Sequence, residues 1–176
     1  MGITQYLEAE PSQVETLLSK LYKYVRLSRE MLEDDFLGYL GRDDSKFDYH
    51  WGITRSHEMI ISLQWLYDNH PEGNEELLRS VMGLFNEKAW DWAWFYSEDV
   101  FPKGDPTEGV EDDLFWFYHG VNSAMGLKAG AVVRRFTGNE TLVEITKRGI
   151  DWTFKYHGSP SGSIIGKYLE ILFRLP

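Results

Sequence analysis

The sequence predicts an all-α protein built of helical hairpins, and three observations favour this fold class. Apolar residues recur at helical spacing, as at Val14, Leu17, Leu18, Leu21 and Val25. No segment shows the sustained apolar and polar alternation of a strand. Apolar helices alternate with acidic loops that contain Gly and Pro, a pattern typical of hairpins packed side by side in α/α toroids or solenoids.

The first predicted helix spans about residues 11–33 and follows an irregular lead over residues 1–10. Its start, Ser-Gln-Val-Glu at residues 12–15, fits a capping box, in which Ser and Glu satisfy backbone N–H groups of the first turn. Residues 34–48 combine glycines with a run of charge. We interpret them as a connecting loop.

Two further helices are predicted in the middle of the chain. One starts near Thr54 or Ser56 and ends in the turn residues 69–74. The next runs from about residue 74 to about residue 96. Residues 97–113 then become rich in Pro, Gly and acidic side chains, which predicts a long polar loop, and such loops inside compact domains are often functional.

The last two predicted helices, about 118–137 and 140–156, form a hairpin. The sequence Thr-Gly-Asn-Glu at 137–140 supplies the turn between them. Residues 158–162 are interpreted as a loop, and the remaining residues as a short helix or strand. An α/α toroid needs more hairpins than these helices supply, so the chain is expected to be a partial toroid.

Aromatic residues make up 15% of the chain, which suits either a large aromatic core or a cleft lined with rings. Sugars pack their C–H faces on rings while their hydroxyls bind polar groups, so carbohydrate is a candidate ligand class. For any single ring, the core is the favoured location.

The formal net charge of −10, with no Lys/Arg cluster, argues against nucleic-acid binding. No apolar run is long enough to span a bilayer, and the N-terminus lacks the features of a signal peptide, so a cytoplasmic location is expected by default. The glycosylation sequon Asn139-Glu140-Thr141 is therefore expected to be unused. The chain contains no Cys, which excludes disulfides, thiolate nucleophiles and Cys-based metal sites.

The first candidate site is a polar pair at the start of the fourth predicted helix. His119 and Asn122 lie three residues apart, so both can face one side of its first turn. Next to Trp116, they form a candidate ligand-binding patch. The alternative is that both residues cap the helix and bond only to the backbone.

The second candidate site is the pair His57-Glu58 at the start of the second predicted helix. His57 could contact a ligand, and Glu58 could orient that ligand or act as a general acid. The alternative is an exposed helix start with a favourable Glu in its first turn.

The densest carboxylate cluster is Glu111-Asp112-Asp113. Paired carboxylates can hydrolyse a glycoside, and three can hold a hard cation. The alternative is a solvated charge run ahead of a helix. No His pair has metal-ligand spacing, and there is no nucleophile elbow or Gly-rich phosphate loop.

Three segments together resemble a known family: SHEMIISLQWLYDNHP, FNEKAWDWAWFYSEDVFPK and, above all, HGVNSAMGLKAGAVVRRFTGNETLVEITKRGIDW. They are similar to the β-L-arabinofuranosidases of glycoside hydrolase family 127. The resemblance covers about residues 50–162 and is strongest at 119–122 and 137–140, while the tail 163–176 is atypical.

The resemblance implies an (α/α)6 barrel and hydrolysis of terminal β-L-arabinofuranosides with retention. It implies a zinc-bound Cys as nucleophile, with a Glu and further Cys residues completing the metal site. It places His119 on the wall of the sugar pocket. His57-Glu58 is a weaker match that would line the same pocket, and Asn122 and Trp116 join these residues as candidate sugar contacts.

The chain departs from the family pattern at the catalytic elements. In the family, a Glu-x-Cys element and a further Cys follow the stretch that matches residues 158–162, and this sequence has neither. We therefore expect residues 1–176 to be one partial glycosidase-like domain from a truncated or mis-spliced gene product, inactive alone, with zinc implied only for the complete family domain.

Two alternatives remain open. One is a non-catalytic helical module that binds carbohydrate or a partner helix, with self-association through unpaired helix faces. The other is an intact glycosidase that uses Glu58 and Glu111 as its two carboxyl groups.

Overall fold

A computed structural model describes residues 2–34, 50–104 and 114–164. These residues are mostly helical and contain no strand, which confirms the all-α class. Contacts divide the chain into two compact units, Met1–Ala89 and Trp90–Pro176. None of the helices in the three described ranges is both long enough and apolar enough to cross a membrane.

The first unit contains five α-helices among its described residues. They are α1 (Gly2–Ala9), α2 (Val14–Glu33), α3 (His50–Thr54), α4 (His57–Asn69) and α5 (Glu75–Lys88), with a 3₁₀ turn at Pro11–Gln13 before α2.

The predicted irregular lead is therefore wrong over Gly2–Ala9, which is helical. The predicted capping box does not form, because the 3₁₀ turn occupies its place and no side chain caps α2. The helices predicted near 11–33 and from about 54 to 69 are otherwise confirmed by α2 and α4. The predicted loop over 34–48 lies outside the described residues apart from Asp34, which ends α2.

Helix α5 packs against both α2 and α4 in the first unit. Most of the side chains buried in these three helices are aliphatic: Leu18, Val25, Leu32, Ile60, Leu63, Leu66, Leu78, Val81 and Met82. Helix α1 is joined to α4 by a hydrogen bond from Trp65 Nε1 to Glu8 Oε1, 2.7 Å long. Burial of aliphatic side chains is therefore the main term that holds this unit together.

The turn between α4 and α5 is held in place by side chains. The Tyr22 hydroxyl lies 2.5 Å from the His70 carbonyl oxygen and 2.9 Å from that of Pro71. Asn74 Nδ2 donates to the carbonyls of Pro71 and Glu72 at 3.2 and 3.1 Å. These bonds hold Glu72 in a left-handed conformation (φ 46°), which is unfavourable for a residue other than Gly.

Tyr22→Phe tests this anchoring of the turn. Burial raises the pKa of the Tyr22 phenol above its ordinary 10.0, Glu72 and Glu75 raise it further, and Arg26 lowers it. At neutral pH we expect the substitution to lower the free energy of unfolding by about 1 kcal/mol, because it removes the hydroxyl donor. The stabilisation from the raised pKa is fully present below pH 10 and is lost as pH rises through the folded-state pKa.

Urea titrations from pH 7 to pH 11 measure both effects. The difference in stability between the wild type and Tyr22→Phe should narrow above pH 10. Tyr24→Phe is the matched control, because Tyr24 is 47% exposed on the same helix, and it should change stability by less than about 0.5 kcal/mol. A Tyr22→Phe difference that stays constant over this pH range would contradict the assignment.

The second unit also contains five α-helices among its described residues. They are α6 (Trp92–Phe95), α7 (Phe115–Tyr118), α8 (Gly120–Gly126), α9 (Ala129–Thr137) and α10 (Thr141–His157). The prediction for α10 is confirmed. The helix predicted over 118–137 is instead interrupted at His119 and again at residues 127–128.

The helix predicted over 74–96 is also interrupted. Ala89 is extended (φ −72°, ψ 159°), so α5 ends at Lys88. Asp91 is likewise extended, and its side chain accepts a hydrogen bond of 2.9 Å from the Trp94 N–H, which caps a new helix. The helical spacing of apolar residues continues across this break. The chain nevertheless starts a new helix here, because the Asp91 side chain caps its first turn.

An aromatic cluster forms the core of the second unit. Its buried rings are Trp92, Phe95, Tyr96, Phe101, Phe117 and Tyr118, and Ala129 packs with them. Phe95 and Phe117 stack at a centroid distance of 4.7 Å, and Trp92 meets Phe117 edge to face at 4.9 Å. Two glycines let helices approach these rings closely. A Cβ on Gly126 would lie 2.3 Å from the Trp92 ring, and one on Gly149 would lie 2.8 Å from the Tyr96 ring.

Helices α9 and α10 form the predicted hairpin, and the turn over 137–140 is confirmed. Gly138 ends α9 in the left-handed region (φ 71°), where Gly carries no steric penalty, and its N–H donates to the Arg134 carbonyl at 2.8 Å. Arg134 also forms an ion pair with Glu140 across the turn.

The start of the predicted long loop packs on α10. His157 Nε2 donates to the Pro102 carbonyl over 2.7 Å, and the Lys103 ammonium lies 4.9 Å from the centre of the Trp152 ring. Residues 105–113 of this loop lie outside the described residues.

Gly126→Ala tests the packing of α8 on the aromatic core. The new methyl group would overlap the buried Trp92 ring, so we expect a loss of about 1–3 kcal/mol in the free energy of unfolding, as for other overpacked cores. Gly83→Ala is the matched control, because Gly83 lies inside α5 and a Cβ there meets nothing within 4 Å. It should stabilise the helix by about 0.5–1 kcal/mol. Chemical denaturation followed by tryptophan fluorescence and by circular dichroism measures both, and equal effects of the two substitutions would contradict the packing described.

Candidate functional site

His119 lies at the break between α7 and α8. Its backbone is extended (φ −64°, ψ 120°), so it ends one helix and starts the next, and its side chain does not cap α8. The His119 carbonyl accepts the Ser123 N–H at 2.9 Å, which begins the hydrogen-bonding pattern of α8. The residue is half-buried, and Nδ1 of its imidazole lies in the interior.

Asn122 and Ser123 hold this break in place. Asn122 Nδ2 donates to the Trp116 carbonyl at 2.9 Å, and Ser123 Oγ donates to the Phe117 carbonyl. A helix of four residues leaves its carbonyls without helical partners, and these two side chains satisfy two of them. The first turn of α8 therefore fixes the end of α7, with His119 between them.

Asn122 is 0% exposed, so its amide contributes to the interior and not to an open surface. Asn122 bonds to the backbone, which agrees with part of the capping alternative, whereas the His119 side chain does not cap α8. Contact between Asn122 and a sugar stays a prediction.

The three rings before His119 have different surroundings. Phe117 and Tyr118 belong to the buried aromatic cluster, whereas Trp116 is half-buried. Trp116 and His119 are therefore the two members of the predicted patch that combine ring surface with access to solvent.

His57 and Glu58 begin α4, in the first unit. His57 is only 5% exposed, so the alternative of an exposed helix start does not describe it, while Glu58 is half-buried in the first turn. Ser56, which precedes them, is also buried, and its Oγ donates to the Gly52 carbonyl at 3.2 Å. A pocket shared by His57 and His119 stays a prediction.

Glu111-Asp112-Asp113 lies outside the described residues, so its proposed chemistry also stays a prediction. The zinc site implied by the resemblance does not fit the residues present. The sequence has no Cys, and the described part of the chain brings no three His, Asp or Glu side chains together in a group that could hold a metal ion. We assign no zinc-dependent step to this chain.

The first unit contains a groove of about 530 Å³, which the sequence analysis did not predict. It runs beside α2 and the turn before α5, and its lining mixes apolar, cationic and anionic side chains: Pro11, Val14, Glu15, Leu18, Ser19, Tyr22, Lys23, Arg26, Glu72 and Asn74. Arg26 Nη2 donates to Asn74 Oδ1 at 3.0 Å, which joins its two sides. In the sequence, the spacing of Lys23 and Arg26 on one helix face could have indicated this groove. Such pairs are common on exposed helices, so the spacing alone does not predict one.

Comparison of the chain with protein-family models, with curated proteins and with solved structures gives no match.

Asn122→Ala tests whether this residue supports the fold. The substitution leaves the Trp116 carbonyl without its side-chain donor and opens space in the interior, so we expect a loss of about 1–3 kcal/mol in the free energy of unfolding without any ligand. Val121→Ala is the matched control, because Val121 is the preceding residue and is 52% exposed. It should change stability by less than about 0.5 kcal/mol. A stability of Asn122→Ala equal to that of the control would show that Asn122 is not a structural residue.

Proposed function

We propose that this chain forms one wall of a sugar-binding site in a glycoside hydrolase of the β-L-arabinofuranosidase type, built from the hairpins of an (α/α)6 toroid. The resemblance of residues 119–152 to that family supports the proposal. The observation that carries it is the position of His119, which is partly buried at a helix break held by two partly buried hydrogen bonds.

The side chains at this break suit a sugar. Nδ1 of His119 is buried, so Nε2 is the ring nitrogen available to a ligand, and an imidazole nitrogen can donate to or accept from a sugar hydroxyl according to its tautomer. The half-buried Trp116 offers an aromatic surface on which sugar C–H groups can pack. Because the backbone on both sides of His119 is fixed, little conformational entropy is lost when a ligand binds.

The proposed role is binding without turnover. In the family resembled, the nucleophile is a Cys, and this chain has none. A retaining glycosidase that uses carboxylates needs two of them about 5–5.5 Å apart. Glu58 is in the first unit and Glu111 is outside the described residues, so a carboxylate mechanism stays a prediction.

The groove in the first unit favours a second candidate function, a non-catalytic module that binds polar ligands. Its volume lies within the range of small-molecule sites, and its rim offers both hydrogen-bond donors and acceptors.

Self-association is part of this second proposal. Ile150 and Phe154 lie one turn apart on α10 and are 40% and 44% exposed, so they offer an apolar face through which two chains could pack.

Titration of the purified chain with methyl β-L-arabinofuranoside, followed by NMR, separates the two candidates. We expect saturable binding that His119→Ala weakens about five- to tenfold, the effect of losing one hydrogen bond of about 1 kcal/mol. Val121→Ala should bind as the wild type does. Loss of binding in Arg26→Ala but not in His119→Ala would move the site to the groove and refute the first candidate.

The same samples test turnover. Light scattering first establishes the oligomeric state, so that binding is compared at equal concentrations of folded chain. We expect no release of free arabinose from the purified chain. Release that His119→Ala abolishes would show that the chain is catalytic by itself.

A further inference from the structure

The turn between α9 and α10 carries the sequon Asn139-Glu140-Thr141, which the proposed function does not use. Residues 137–141 are all exposed. The space beside them is open as well, since a Cβ added to Gly138 would meet nothing within 4 Å. The turn is thus accessible to a large modifying enzyme and has room for a bulky adduct.

The side chains of the sequon are arranged around the Asn139 carbonyl oxygen. Asn139 Oδ1 accepts the Thr141 N–H at 3.1 Å and the Thr141 hydroxyl at 2.7 Å. Within the described residues, no hydrogen bond engages Asn139 Nδ2, the atom that a glycan would modify. Both hydrogen bonds therefore polarise the amide through its oxygen and leave its nitrogen accessible.

The expectation that the sequon is unused applies to a cytoplasmic chain. We propose that Asn139 is a competent acceptor site for an asparagine-linked glycan whenever the chain passes through a eukaryotic secretory pathway. The donor is an oligosaccharide linked to a lipid diphosphate. Asn139 Nδ2 attacks the anomeric carbon of its first sugar, so that an N–C bond forms while the bond from that carbon to the diphosphate oxygen breaks. The lipid diphosphate leaves, and one amide proton passes to a base of the transferase.

The residue types at all three positions suit this acceptor. Thr at the third position supplies the hydroxyl that the sequon requires, and Glu at the middle position is not the excluded Pro. None of the other asparagines has Ser or Thr two residues later, at the third position of a sequon. They are Asn69, Asn74, Asn86 and Asn122. A glycan attached through nitrogen therefore has one expected position.

The test is expression of the 176-residue chain behind a cleavable secretion signal in a eukaryotic host, with analysis of total chain from cells and medium. We expect a heavier form that peptide N-glycosidase converts to the unmodified mass plus the change of Asn139 to Asp. Peptide mass spectrometry locates that change. Finding the chain only in its unmodified form would overturn the proposal.

Matched variants separate acceptor chemistry from folding. Asn139→Asp keeps an oxygen that can accept the Thr141 N–H at the start of α10 but lacks the amide nitrogen, so it should fold normally and carry no glycan. Thr141→Ala should also abolish the glycan, Thr141→Ser should retain it at lower occupancy, and Glu140→Gln should leave it unchanged. A glycan that persists in Asn139→Asp would place the modification elsewhere and refute the assignment.

Discussion

Two hydrogen bonds from side chains to the backbone, Asn122 to Trp116 and Ser123 to Phe117, fix the geometry of the candidate site. Without them, the short helix α7 would end in two carbonyls that lack a helical partner, and a buried acceptor left unsatisfied costs about 1–3 kcal/mol. With them, the chain can break at His119 and restart at once. The break directs Phe117 and Tyr118 into the aromatic core and leaves His119 partly buried. Asn122, a polar residue with no exposed surface, thus sets the position of a histidine that keeps some exposed surface.

Within the described residues, the aromatic core of the second unit accounts for much of the high aromatic content of the chain. Most of the rings in the second unit pack on one another, and two glycines provide the close approach that these large side chains need. The first unit is different, because its core is mainly aliphatic. The Tyr22 hydroxyl holds the turn between α4 and α5 through backbone carbonyls. Of the three rings Trp116, Phe117 and Tyr118, Trp116 is the one that keeps partial exposure.

Apolar spacing and turn residues predicted α2, α4 and α10 well, because each is a long helix with a regular buried face. The breaks at residues 89–91 and at His119 could not be predicted in this way. They depend on the capping by Asp91 and on bonds between residues six apart, which compete with a helical periodicity that continues across them. Sequence reasoning grouped His119 and Asn122 in one candidate patch and treated them as equals. Burial separates their roles, and burial depends on the tertiary structure.

The distribution of tryptophan between the units has a spectroscopic consequence. Of the seven tryptophans, only Trp51 and Trp65 belong to the first unit, and the other five belong to the second. Intrinsic emission therefore reports mainly on the second unit, whereas far-ultraviolet ellipticity weights both units by their helix content. If the units unfold separately, the two signals will give different midpoints, and a single two-state fit to either one will misstate the stability of the whole chain.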